Sequence, residues 1–307
     1  MSMVIDVHVH PGFYEKISQD KQEIEFRKKH AHWDLMSPFP VELTRAQMKF
    51  ANVDKLVLLP MDLTTSAGGW VVSNDQICTM VEEAPDIFFG FASVDPYRED
   101  ALDVLEHAFK DQKLMGLYLN PSKQAFFPDD PMMDRIYEKC IEYDKPIIFS
   151  AGMSFCDDCL MKYGKPLNFE PVAIKYPKLR ICIGHMGWPF IFDTAAMLLK
   201  YPNVYADTSM LYMDSPEQFM HDVFMKQYGR LWLDNDLGDK IMFGSNNPRF
   251  RTARIKRGLE SLDIRPETLE LSLIHIYPLV EKVVTELAVL DYGDHVHGIF
   301  IDEKNKS

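Results

Sequence analysis

The chain has 307 residues, a length that one α/β barrel can fill and most other single-domain folds cannot. Its 46 acidic residues outnumber the 33 lysines and arginines, and the resulting charge of −13 argues against nucleic acid or anionic membrane as a partner. The hydrophobic fraction of 47% supplies a core, no apolar run is long enough to span a bilayer, and the five cysteines are too scattered for a disulfide framework.

The first element is Val4-Ile5-Asp6-Val7-His8-Val9-His10, closed by Pro11-Gly12. Its β-branched residues predict a buried strand, on which His8 and His10 point the same way. Polar residues in this stretch also interrupt any signal peptide, so a cytoplasmic location is expected. Seven more short apolar strands follow in residues 53–60, 88–96, 114–121, 146–152, 179–187, 204–210 and 240–248. Helical spacing fills most intervals, as in Asp100 to Lys110 and Met132 to Tyr143, the second led by Asp129-Asp130-Pro131. Apolar strands alternating with helices predict a parallel sheet, and eight such units predict a closed (β/α)8 TIM barrel in one domain over residues 1–307. The first strand is not followed by a Gly-x-Gly-x-x-Gly turn, which disfavours a dinucleotide-binding fold.

Three stretches depart from the repeat. Residues 11–50 form a long insertion after strand one that is expected to cover the catalytic face, residues 251–290 carry extra C-terminal helices, and residues 291–307 are a polar tail.

Chemistry in such a barrel sits at the carboxyl ends of the strands. Those ends carry His8, His10, Asp62, Asp95, Tyr118, Asn120, Ser150, His185, Asp207 and Asn246. Paired imidazoles suit one divalent ion, although two hydrogen-bonded core histidines would have the same spacing. His185 lies between glycines in Gly184-His185-Met186-Gly187, a setting that fits a pocket, whereas Asp207 is expected to anchor neighbouring loops.

Taken together, several segments resemble the amidohydrolase superfamily. They are Ile5 to His10, Gly116 through Asp130-Pro131, Pro146 to Gly152, Tyr176 through His185, Asn203 to Ser209, and Ile241 to Pro248. The likeness covers roughly residues 3–285 and is to the branch containing aminocarboxymuconate-semialdehyde decarboxylase, γ-resorcylate decarboxylase, 4-oxalomesaconate hydratase and a pyrone-dicarboxylate lactonase. It implies a (β/α)8 barrel and one catalytic divalent metal, zinc first. In that branch the metal is held by the strand-one histidines, a strand-five histidine and a strand-eight aspartate, while a strand-six histidine acts on substrate or water. His8 and His10 match the metal pair, and His185 matches the acid–base group.

The departures bear directly on the metal. Ser150 stands at the strand-five histidine position and Asn246 at the strand-eight aspartate, while Tyr118 and Asn120 replace a common lysine and histidine. A neutral amide and an alcohol are poor zinc ligands, so the ion would be bound loosely. Cys156-Asp157-Asp158-Cys159 follows strand five and could complete a site with His8 and His10; Glu170, His30 and His32 are weaker candidates. Arg249 and Arg251 could bind a substrate carboxylate in forked geometry, or could be solvated loop residues.

The expected function is therefore a metal-dependent hydrolase or decarboxylase for a small carboxylated substrate, working as a homo-oligomer, with His185 and Asn246 at the chemistry and Tyr118, Asn120 and Ser150 against the substrate. The alternatives are a metal-independent, lactonase-like hydrolase and a barrel that binds a small ligand without catalysis.

Overall fold

A computed structural model describes residues 3–210 and 215–274. Eight strands form the barrel: β1 (Ile5–Val9), β2 (Lys55–Leu58), β3 (Phe88–Gly90), β4 (Leu117–Leu119), β5 (Ile147–Phe149), β6 (Ile181–Ile183), β7 (Val204–Asp207) and β8 (Ile241–Met242). Each lies within one of the eight predicted segments. Consecutive strands pair in parallel, running β1-β2-β3 and β4-β5-β6-β7-β8.

Two seams close the circle. Between β3 and β4, the Tyr118 amide donates to the Ala92 carbonyl at 2.8 Å, beside a parallel bridge from Ala92 to Leu117. Between β8 and β1, Val7 N donates to Phe243 O at 2.9 Å and Asn246 N to His8 O at 2.8 Å. The second seam sets Asn246 directly beside His8.

The strands read as near-continuous apolar runs because both faces are covered, by the barrel interior on one side and helices on the other. All five residues of β1 are buried, including Asp6 and His8. Packing is tight enough that a Cβ at Gly116 would stand 2.4 Å from the Phe91 ring. The helix expected before β5 is Asp134–Glu142, which buries Ile136, Tyr137 and Cys140 against the barrel. At its entrance the Asp130 carboxylate accepts from Met132 N at 3.0 Å, ahead of a first turn that contains Pro131. The helix expected over 100–110 is regular in Ala101–Glu106 and continues as a wider π-turn in His107–Asp111.

The stretch 11–50 divides into two parts. Helix α1 (Lys21–Ala31) is the inserted piece, whereas α2 (Val41–Ala51) packs beside Thr252–Glu260 on the barrel wall and leads into β2. The expected insertion therefore stops near residue 40, because residues 41–51 supply the ordinary helix between β1 and β2. An antiparallel hairpin, Met61–Leu63 with Gly69–Val72, follows β2 and was not expected. Its strands are only three and four residues long, too short for alternation to stand out. Two C-terminal helices are present, Thr252–Glu260 and Pro266–Ile274; the rest of the predicted closing helices and the polar tail lie outside the described residues. No described helix is long and apolar enough to cross a membrane.

Candidate active site

His8 is the centre of the site. Its ring is wholly buried, with the His185 ring centroid 4.6 Å away, that of His10 at 5.1 Å and that of Tyr118 at 5.7 Å. Each of the three imidazoles has its Nδ1 committed to a protein acceptor. His8 Nδ1 donates to Asp207 Oδ2 at 2.9 Å, His10 Nδ1 to the Leu59 carbonyl at 3.1 Å, and His185 Nδ1 to the Ser209 carbonyl at 2.8 Å. With Nδ1 protonated, every Nε2 is left with a lone pair. His185 Nε2 can accept from the Ser150 hydroxyl at 3.3 Å. His8 Nε2 is buried with no hydrogen-bond partner among the described residues.

Asp207 and Ser209 fix this arrangement from the end of β7. Asp207 Oδ1 accepts from the backbone amides of His185 at 2.9 Å and Ser209 at 3.0 Å, and from the Ser209 hydroxyl. Ser209 Oγ also lies 2.7 Å from His185 Nδ1 and 3.1 Å from His8 Nδ1. One carboxylate thus orients both imidazoles. Burial works against its charge, but the His8 ring, His185 and the Ser209 hydroxyl outweigh burial and hold Asp207 below the usual carboxylate range. Burial, reinforced by neighbouring His8, lowers His185 to about 4, and burial also takes His10 well below an ordinary imidazole. Both are therefore neutral near pH 7, the form in which imidazole binds metals or accepts protons.

Asp6 occupies the same end of the barrel from behind. It accepts from Ser245 N at 2.8 Å, Thr252 Oγ1 at 3.1 Å and His8 N at 3.2 Å, tying β1 to the segment after β8. Two residues at strand ends, His185 (φ 57°) and Asn246 (φ 61°), have left-handed backbones. Such conformations in non-glycine residues cost energy and concentrate at functional sites.

A small cavity of about 60 Å³ opens onto this cluster. His10, Tyr118, Asn120, Ser150, His185, Asn246 and Arg249 all line it, so seven of the predicted site residues meet at one place. Tyr118 is hydrogen-bonded with Ser150 and Asn120, and burial pushes its phenol above the usual range. Asn120 also caps the short helix after β4 by accepting from Lys123 N at 3.0 Å. Arg249 donates to the Ala31 carbonyl at 2.7 Å and stacks 4.3 Å from the Phe155 ring, so it ties the loop after β8 to the two segments that roof the cavity.

Other candidates lie elsewhere. Arg251 lines a separate surface depression with Phe50 and Ala253, away from the imidazoles. Glu170 is engaged with Lys200 at 2.8 Å and with the Tyr201 hydroxyl. Asp62 pairs with Arg98 at 3.1 Å, and Asp95 accepts from the amides of Thr65, Ser66 and Tyr97. His30 packs its ring on Phe26, while His32 does line the cavity. Cys156 reaches the cavity wall, but its ligating neighbours are Asp158 and Cys159; the ligand atoms that cluster with His8 come from His185 and Asp207. His10 is outside that compact triple, although it adjoins His8.

Sequence reasoning missed Ser209, Lys123 and Trp33. Ser209 lies two residues past Asp207, where a strand end keeps the same facing; Lys123 and Trp33 come from segments whose fold alone brings them to the cavity.

The comparisons bear on the fold and the family. The profile of the amidohydrolase family matches residues 5–273. No curated protein sequence matches the chain. Among solved structures, an uncharacterised TIM-barrel protein from Bordetella bronchiseptica is 19% identical with a TM-score of 0.69, covering 88% of this chain and 95% of its own. The 4-oxalomesaconate hydratase of Rhodopseudomonas palustris is 18% identical with a TM-score of 0.63, covering 94% and 98%. A 5-carboxyvanillate decarboxylase from Novosphingobium aromaticivorans, solved with manganese and a nitrobenzoic acid, is 17% identical with a TM-score of 0.59, covering 89% and 94%. At these identities the structures bear on the fold, a TIM barrel. The family match spans most of the sequence, and the chain belongs to the amidohydrolase family.

Proposed function

We propose that this protein is a hydrolase or carboxy-lyase that acts on a small carboxylated substrate in the cavity beside His8, His10 and His185. The observation that carries the proposal is the wholly buried His8 Nε2. It has no hydrogen-bond partner among the described residues, while Nδ1 of the same ring is held by Asp207. A buried lone pair without a partner costs about 1–3 kcal/mol, and a histidine oriented through its other nitrogen by a carboxylate is the usual arrangement around a metal.

The donors present fit a divalent ion. His8 would hold it together with His10, and Asn246 and Ser150 would contribute neutral oxygens where the family resemblance places an aspartate and a histidine. Zinc or manganese suits such a nitrogen-rich set. When bound, the ion supplies Lewis acidity toward a substrate oxygen.

The remaining chemistry belongs to this chain's own side chains. His185 is neutral, its Nδ1–H is fixed, and its Nε2 lines the cavity wall, so it can accept a proton from water or return one to a leaving carbon or oxygen. Lys123 and Arg249 make the wall positive and favour a carboxylate. Trp33, Tyr118 and Phe155 provide flat apolar walls suited to an aromatic or unsaturated acid. Relatives in this fold include enzymes for aromatic carboxylates, such as the 2,6-dihydroxybenzoate decarboxylase solved with its substrate.

A metal-independent mode rests on a separate observation, the two neutral residues Ser150 and Asn246. Elemental analysis of gently purified protein and a screen of aromatic acids and lactones distinguish the readings. The expected result is about one equivalent of metal fewer in His8→Ala than in the wild type, and turnover that falls by about 10²–10⁴-fold in His185→Ala with folding intact. Turnover unchanged in His185→Ala would overturn the acid–base assignment. Turnover by protein devoid of metal would select the metal-independent mode, and tight binding of an acid without turnover would select a binding barrel.

A further inference from the structure

The loop after β5 carries a second set of ligating side chains. One atom each from Cys156, Asp158 and Cys159 lies within 4.8 Å of the other two, and none of the three belongs to the His8 cluster. We propose that Cys156, Asp158 and Cys159 form a site for a thiophilic divalent cation, zinc or a chemical relative, on the rim of the cavity.

Geometry supports this first. A tetrahedral zinc with metal–sulfur bonds of about 2.3 Å and a metal–oxygen bond of about 2.0 Å separates its ligand atoms by about 3.5–3.8 Å. Cys159 Sγ and Asp158 Oδ1, at 3.5 Å, already have that separation, and the closer Cys156 Sγ would move outward by about 1 Å to make room for the ion. Cys-x-x-Cys is also the common chelating spacing for zinc, since a short loop turns both sulfurs toward one point. Both thiols here donate to the same Asp158 oxygen, Cys159 at 3.5 Å, so the two sulfurs converge on one carboxylate.

Charge supports it next. Two thiolates and a carboxylate carry three negative charges, and a divalent cation leaves one. The Lys123 ammonium, close enough to act on both Asp158 and Cys159, offsets that one. The cysteines are half-buried, which admits an ion from solvent while shielding part of its shell. On binding, each thiol gives its proton to solvent and its sulfur lone pair to the cation, with no change of oxidation state. Three protein ligands leave a coordination position open, as in zinc sites that meet a substrate or water. Because Cys156 lines the same cavity as His10 and His185, the ion would stand beside the space an acid enters without changing its net charge, and its open position could take a carboxylate oxygen.

The test uses the whole protein, reduced with a phosphine and titrated with Co²⁺. Cobalt bound to thiolate absorbs through sulfur-to-metal charge transfer, whereas cobalt on the imidazoles of the His8 centre does not. The band is expected to saturate by two equivalents in the wild type, where the His8 centre competes for cobalt, and at one equivalent in His8→Ala. Cys156→Ser or Cys159→Ser should weaken binding by about a hundredfold or more, and Asp158→Asn by about tenfold. Zinc should also shield both cysteines from alkylation, read by mass spectrometry. Three results would overturn the proposal: no charge-transfer band, a band that survives in the Cys156→Ser/Cys159→Ser double variant, or a Cys156–Cys159 disulfide forming with oxidised glutathione at a rate zinc does not change.

Discussion

Arg27 is a fully buried guanidinium in helix α1, and its replacement by methionine tests whether the inserted helix is locked onto the barrel. Its Nε donates to the Val71 carbonyl at 2.8 Å, Nη1 to the Gly12 carbonyl and Ser18 Oγ at 3.0 Å each, and Nη2 to Glu23 at 2.9 Å. Those acceptors belong to the hairpin, to the loop leaving β1 and to α1 itself, so one side chain joins three segments. Arg27→Met keeps the apolar stem and removes every donor. Two buried carbonyls left without their donor cost about 1–3 kcal/mol each, and breaking a buried pair costs about 3–5 kcal/mol. The Glu23 side chain is 33% exposed and keeps the Gln76 amide at 2.7 Å, which places the loss at the lower end, about 3 kcal/mol.

Two assays read that loss. If the insertion unfolds with the barrel, the urea midpoint falls by roughly 1 M, taking a slope of about 3 kcal/mol/M. If it opens alone, amides in Lys21–Ala31 exchange with solvent about a hundredfold faster while the midpoint holds. Arg27→Lys keeps the charge without the fork and should fall between wild type and Arg27→Met. Glu23→Gln should cost under about 1 kcal/mol. An Arg27→Met protein with unchanged midpoint and unchanged exchange would refute the reasoning.

Four further outcomes follow from the same structure. Asn246→Asp should raise the affinity for Zn²⁺ or Mn²⁺ by about tenfold or more, measured against a competing chelator, because it puts a negative charge beside His8; unchanged affinity would place the ion elsewhere. Ser209→Ala should lower kcat by about tenfold and leave KM nearly unchanged, since Ser209 orients His185 and does not line the cavity. Gly116→Ala should destabilise the barrel by about 1–3 kcal/mol in urea unfolding, as its Cβ would meet Phe91 at 2.4 Å. Burial raises the Asp6 carboxyl from 3.8 to about 6, so the folded state holds its proton more tightly than the unfolded chain. The associated stability is present below pH 4 and disappears as pH rises through 6, roughly 3 kcal/mol in all, and Asp6→Asn should abolish that slope.

The barrel was legible because buried parallel strands are written as short apolar runs, and eight of them recur with helical spacing between most. His8 and His10 were legible through the strand period, and His185, Tyr118, Asn120, Ser150 and Asn246 through their place at strand ends. Among residues that reach the cavity from loops, Arg249, His32 and Cys156 were picked out by their chemistry, but Lys123 and Trp33 were not named as site residues, because no period governs loops. Lys123 arrives from the short helix after β4, and Trp33 from the end of the insertion, where His32 turns the chain with φ 54°. The hairpin after β2 and the division of residues 11–50 at Pro40 also depend on contacts distant in sequence. Arg251 shows the opposite limit: it is two residues from Arg249, yet the helix beginning at Thr252 turns the chain toward another face.

On the proposed reading, in which Ser150 and Asn246 stand where charged or imidazole ligands would, Asp207 is the structural counterpart. Among the described residues the carboxylate hydrogen-bonded to the His8 ring comes from β7, and it is already engaged by that ring, the His185 amide and Ser209. A metal ion there would meet in His8 an imidazole whose basicity Asp207 raises through its second nitrogen, which would replace part of the negative charge an aspartate at position 246 would supply. Asp207, held by the His8 ring, the His185 amide and Ser209, is not free to take a proton in the cavity, and that task falls to His185. Chemistry that needs a polarised substrate oxygen and a proton relay through His185 suits this site better than chemistry that needs a free metal hydroxide. Within the hydrolase and lyase range, that difference favours substrates activated by their own conjugation, such as unsaturated or aromatic acids, over unactivated amides.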